Sequence, residues 1–91
     1  MVMDMDSNVE HDNELKIRNI LNQFGSLSRD PAALQVEEDL YEAGMTSHAS
    51  VNVMLALEAA FGIEFPDEML TRGMFESIGS MLSAVEELLA A

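Results

Sequence analysis

Apolar residues recur at helical spacing along much of the chain. Ile17, Ile20, Leu21 and Phe24 fall at i, i+3, i+4 and i+7, which predicts a first helix from about Asn13 to Phe24 with Gly25 as its stop. A second helix is predicted from Ser47 to Phe61, apolar nearly all the way round and ended by Gly62. Ile78, Met81, Leu82, Val85, Leu88 and Leu89 form the stripe of a last helix, with Ser77 placed to cap it. Between these, "GIEFPDEML" reads as a turn, with Pro66 suited to open a short third helix that Gly73 interrupts. The stretch "GSLSRDPAALQVEEDLYEAGMT" has no period. Asp30-Pro31 marks one turn in it, and Leu27, Leu34, Val36, Leu40 and Tyr41 are its anchors to a core. Residues 1–12 are polar, acidic and aperiodic and are expected to be a disordered tail, leaving 13–91 as the domain. No strand pattern or internal repeat is present. The expected fold is all-α: a small four-helix bundle with a long first loop and a short third helix.

Composition narrows the functional classes. A chain of 91 residues is one small domain with a thin core and no room for a large enclosed active site. Without cysteine it has no disulfide, thiolate metal site or cysteine nucleophile, which suits a reducing compartment. The acidic N-terminus has no apolar run fit for a signal peptide, and no segment reaches the roughly 20 apolar residues of a membrane span. A cytoplasmic monomer is expected. With 4 Lys+Arg against 17 Asp+Glu, a net charge of −13, the surface would repel nucleic acid and anionic membranes and attract a partner with a basic patch. Asp4, Asp6 and Asn8 have the alternate spacing of a calcium loop. Val9 and Leu15 occupy the positions where that loop needs Gly and Glu, so no metal site is expected.

The second helix carries more apolar surface than so small a domain can cover. At about 100° per residue, Ala49, Val53, Ala56, Leu57 and Ala60 share the face expected to meet the core. Ser47, His48, Asn52 and Glu58 lie opposite, with Val51 and Leu55 among them. An exposed apolar pair edged by polar groups suggests a docking face, against the plainer reading of scattered surface apolars.

Ser47 heads this helix and has three readings. Either Thr46 or Ser47 could be the N-cap, worth about 1 kcal/mol. A serine nucleophile would need a base, and His48, the next residue on the helix, does not face it. A covalently attached phosphate group is the third reading, since a helix N-terminus offers free N–H groups and the positive end of the dipole.

The run "ALEAAFGIEFPDEML" is similar to the ALE-x-x-FGI-x-(I/F)-PDE segment of bacterial acyl carrier proteins. "EDLYEAGMTS" and "GMTSHASVNVM" resemble the family's D-L-x-x-L-G-x-D-S and G-x-DSL-x-x-V-x-x-V-M segments. The resemblance to acyl and peptidyl carrier proteins covers roughly residues 13–90 and implies the bundle expected above. It implies that Ser47 receives 4′-phosphopantetheine from coenzyme A through a holo-carrier-protein synthase. The arm's thiol would hold an acyl or aminoacyl group as a thioester for a downstream acceptor enzyme, so the protein would be a carrier and not an enzyme, with no catalytic residue of its own. Thr46 stands where the family has Asp, and His48 where it has Leu. Asn52 and Ala59 replace acids that in the family meet basic patches on fatty-acid synthesis enzymes, and Glu58 remains. A T-S-H site on a neutral helix is similar to a group of bacterial carriers loaded with glycine or alanine by ligases that resemble seryl-tRNA synthetase. That resemblance implies an amino acid:carrier protein ligase docking on Thr46, His48, Val51, Asn52, Leu55 and Glu58. A fatty-acid or polyketide carrier, and an unmodified acidic interaction module, are the alternatives.

Overall fold

The computed structural model describes the backbone of residues 5–91 and the side chains of residues 12–91. Its helices are α1 (Met5–Phe24), α2 (Ser47–Phe61), α3 (Arg72–Phe75) and α4 (Ile78–Ala90). Single 3-10 turns at Pro31–Ala33 and Asp67–Met69 interrupt the two longer connections. The all-α bundle with a long first loop and a short third helix is therefore what the chain forms, and among the described residues there is no strand.

Local signals explain the boundaries. The Thr46 hydroxyl accepts from the Ala49 N–H at 3.0 Å and starts α2. Gly62 ends it in the left-handed conformation (φ 65°), a conformation other residues adopt at a cost. Ser77 and Ser80 form a reciprocal capping box at the start of α4. Gly25 closes α1 by donating to the Leu21 carbonyl at 2.8 Å, and a Cβ there would lie 2.7 Å from that oxygen.

Two boundaries differ from expectation. α1 begins at Met5, so residues 5–12, expected as part of a disordered tail, are helical; residues 1–4 lie outside the described set, as do the side chains of Asp4, Asp6, Asn8 and Val9 from the rejected calcium loop. An apolar-stripe search cannot register turns that have no stripe, while acidic residues early in a helix favour it through the dipole. The third helix starts not at Pro66 but at Arg72, capped by Thr71, and contains Gly73. Pro66 precedes only the 3-10 turn. One turn of helix fixed by its cap and by the buried Met74 and Phe75 tolerates the glycine.

The core is a column of fully buried side chains: Ile17 and Leu21 from α1, Val53 and Leu57 from α2, Ile78, Met81 and Val85 from α4, and Leu40 from the long loop. The loop is pinned as its anchors predict, with Leu34 also buried and Leu27, Val36 and Tyr41 packed at the core's edge. Polar contacts add to this. Leu40 N–H donates to Glu76 O at 2.7 Å, and Gly79 N–H donates to Val36 O at 2.9 Å. Arg18 on α1 donates to the carbonyls of Pro31 (2.6 Å) and Leu34 (2.7 Å) and pairs with Glu14.

α2 is turned on its axis relative to the expected wheel. Ala49, Val53 and Leu57 are buried as expected, but Ser50 is buried too, Ala56 is half-buried and Ala60 is exposed. Burying a serine is tolerable because its hydroxyl donates to Ser47 O at 2.7 Å. The turn leaves Val51 and Leu55 50% and 54% exposed.

Among the described residues no group of His, Asp and Glu side chains could hold a metal ion, and no helix is long and apolar enough to cross a membrane. The described ion pairs are Arg18–Glu14 and Arg29–Glu38. The half-buried Glu38 carboxyl is held below its ordinary pKa by the Gln35 N–H and then by Arg29. That contribution is present above the carboxylate's ordinary pKa and is lost as pH falls through the lowered one. Ion pairs are thus few, while 17 carboxylates repel one another. Raising NaCl from low to moderate concentration is expected to raise the Tm, because screening relieves more repulsion than it removes attraction. A flat or falling Tm in a thermal melt would contradict this.

Candidate functional site

Because Thr46 is the cap, Ser47 is released from that role. It occupies the first turn of α2 with an exposed side chain. Among the described residues its hydroxyl makes no hydrogen bond, while its carbonyl accepts from the Ser50 hydroxyl at 2.7 Å. His48 is also exposed and lies outside hydrogen-bonding contact with Ser47, so the arrangement supplies no base for nucleophilic catalysis. The free hydroxyl stands instead at the positive end of a 15-residue helix, a favourable position for a phosphate ester.

Ser47 opens onto a groove of about 470 Å³. α2 contributes Ser50, Val51 and Met54 to it, the long loop contributes Tyr41, and the segment through α3 contributes Leu70, Thr71, Arg72 and Phe75. The Arg72 guanidinium lies 3.8 Å from the centre of the Tyr41 ring. The groove is walled by apolar groups, open to solvent, and bears one cation. These features fit a slender arm with a charged end at the serine and an uncharged body.

The residues expected to dock a partner do not form one set. His48, Val51, Asn52 and Leu55 are exposed together along one side of α2. Thr46 is engaged as the cap. Glu58 is half-buried and accepts from the Phe65 N–H at 2.9 Å, fastening the turn that follows α2. Its spacing on the wheel placed it opposite the core, but a backbone donor seven residues on claims it. The sequence reading missed Tyr41, Met54, Leu70 and Arg72 as groove residues. Only the partial burial of Tyr41 was foreshadowed, by its place among the loop anchors.

This geometry coincides with a known class. The chain matches the family model for the phosphopantetheine attachment site over residues 16–85 and belongs to that family. It is therefore a carrier protein and not a catalyst, and its cofactor is phosphopantetheine. It is 47% identical over 73 residues to a protein of Agrobacterium fabrum named "Aminoacyl carrier protein", covering 80% of this chain and 88% of that one. It is also similar to the carrier protein from Agrobacterium tumefaciens in a crystal structure with an engineered Bradyrhizobium japonicum glycine:[carrier protein] ligase and ATP. That match has a TM-score of 0.79 at 44% identity, covering 82% of this chain and 97% of the other. A solution structure from Agrobacterium tumefaciens matches with a TM-score of 0.68, also at 44% identity, over 85% and 93% of the two chains.

Proposed function

We propose that Ser47 is the point to which phosphopantetheine is attached, and that the arm carries a small amino acid, glycine or alanine, as a thioester. The observation that carries the first part is the division of labour at the head of α2: Thr46 caps the helix, and the Ser47 hydroxyl is free at the mouth of the groove. A holo-carrier-protein synthase would transfer the phosphopantetheine of coenzyme A to that oxygen, the serine O–P bond forming as the pyrophosphate bond breaks, with adenosine 3′,5′-bisphosphate leaving and the hydroxyl proton lost. An amino acid:carrier protein ligase would then charge the thiol, and an acceptor enzyme would take the cargo. The amino-acid reading is supported by the name of the 47%-identical relative and by the ligase seated on the 44%-identical carrier. We place these events in the cytoplasm, which the cysteine-free sequence suits.

The test is stepwise charging followed by intact mass. Incubation with coenzyme A and a broad-specificity holo-synthase should add one arm, and ligase with ATP and glycine or alanine should add one aminoacyl group. Efficient charging with long fatty acids and none with either amino acid would overturn the cargo assignment in favour of a lipid or polyketide carrier.

His48, Val51, Asn52 and Leu55 form the face on which the ligase docks in this reading. Leu55→Ala removes a side chain 54% exposed, so its Tm should stay close to native. Loading by the ligase should fall about tenfold, the effect of losing roughly 1–2 kcal/mol at an interface. Unchanged kcat/KM for loading would move the docking face elsewhere.

A further inference from the structure

Arg72 is unusually placed among the cations of this protein. Arg18 and Arg29 each have a carboxylate partner, and Lys16 lies over the Phe61 ring. Arg72 has no carboxylate partner among the described residues, although the chain has a net charge of −13. It is stacked on Tyr41 instead, and no other Lys or Arg lines the groove that begins at Ser47.

Stacking has a chemical consequence. A guanidinium lying on an aromatic face is held by its plane, and the N–H groups on its rim stay available to donate. That rim is a fork with the right spacing for two phosphate oxygens. A phosphodiester on Ser47 would bring a negative charge to the mouth of the same groove. The apolar walls from Val51, Met54, Leu70 and Phe75 would face the body of the arm.

We infer that Arg72, braced on Tyr41, is a positioning residue that holds the phosphodiester of the Ser47-linked arm and so lays the arm along the groove between α2 and α3 in the resting carrier. Partner enzymes would draw the arm out of this bed. The inference rests on Ser47 being the attachment point.

The experiment uses the full-length holo protein, with the arm confirmed by intact mass. A preparation that takes up no arm would overturn the attachment reading itself, so the two failures are distinguishable. Backbone and side-chain NMR shifts are compared between apo and holo forms of native protein, Arg72→Gln and Arg72→Lys. In native protein, attachment should shift Tyr41, Leu70 and the Arg72 guanidinium as well as residues 46–50. Contacts should also appear between the Tyr41 ring and the geminal methyls of the arm. In Arg72→Gln the distant shifts should disappear, and alkylation of the arm's thiol by neutral iodoacetamide should become several-fold faster. Arg72→Lys, which keeps the charge but loses the fork and the stack, should fall between. Shifts confined to residues 46–50 in the native protein would overturn the inference without reference to any variant, as would an undiminished pattern in Arg72→Gln.

Discussion

Ser47→Ala should abolish attachment of the arm completely and leave the fold untouched, whereas Thr46→Ala should do nearly the reverse. The Ser47 hydroxyl is exposed and unbonded among the described residues, so its loss removes no contact. Alanine is also the better helix former, so the expected change in stability is within about 0.5 kcal/mol. Thr46 supplies the acceptor for the Ala49 N–H, and removing a cap of this kind costs about 1 kcal/mol. In a domain of this size that is a fall in Tm of roughly 4–8 °C. The Thr46 variant should still gain one arm, because the serine oxygen and the groove remain. Intact mass and a thermal melt on the same samples separate the roles. A full arm on Ser47→Ala would move the attachment point; Ser50 is a poor substitute, being buried with its hydroxyl donated to Ser47 O. Loss of stability in Ser47→Ala with none in Thr46→Ala would exchange cap and anchor.

The parts of this molecule legible in its sequence are those written in local chemistry. α2 runs from Ser47 to Phe61 as its pattern predicts, because a hydroxyl at one end and a glycine at the other fix a helix irrespective of what packs on it. Ser77 marks the start of α4 for the same reason. The family was legible too, since the segments that carry the resemblance form a nearly contiguous run through α2 and the turn after it. What stayed hidden depends on contacts distant along the chain. The rotation that buries Ser50 and exposes Ala60 is set by where the rest of the bundle meets α2, and a helical wheel has no knowledge of that. Arg18 reaches carbonyls of the loop 13 and 16 residues away, with no periodicity to announce it. Tyr41 and Arg72 meet across the groove from unrelated segments. Glu58 read as a surface acid because its partner is a backbone N–H, and every residue but proline has one.

The largest stability effect should come from the long loop, at Leu40→Ala. Leu40 is fully buried although no helix contains it. Its N–H donates to Glu76 O at 2.7 Å and its carbonyl accepts from Met45 N–H at 3.0 Å, so the side chain sits where the loop is tied to the segment before α4. Truncating a buried leucine costs about 2–5 kcal/mol, the range reflecting how far the cavity can collapse. Domains of this size have only about 5–15 kcal/mol in all and a thin core. The Tm should fall by at least about 10 °C. The damage should not stop at stability, because the next residue, Tyr41, is a wall of the groove and the platform under Arg72. A loosened loop should therefore slow arm attachment and ligase loading even below the new Tm. Leu55→Ala is the matched control: the same atoms are deleted from an exposed face of α2, with loading affected and the melt unchanged. If Leu40→Ala lowered the Tm less than Thr46→Ala does, the loop would not be the packed element that gives the groove its shape. The second wall beside Ser47 would then have to be held by α3 alone.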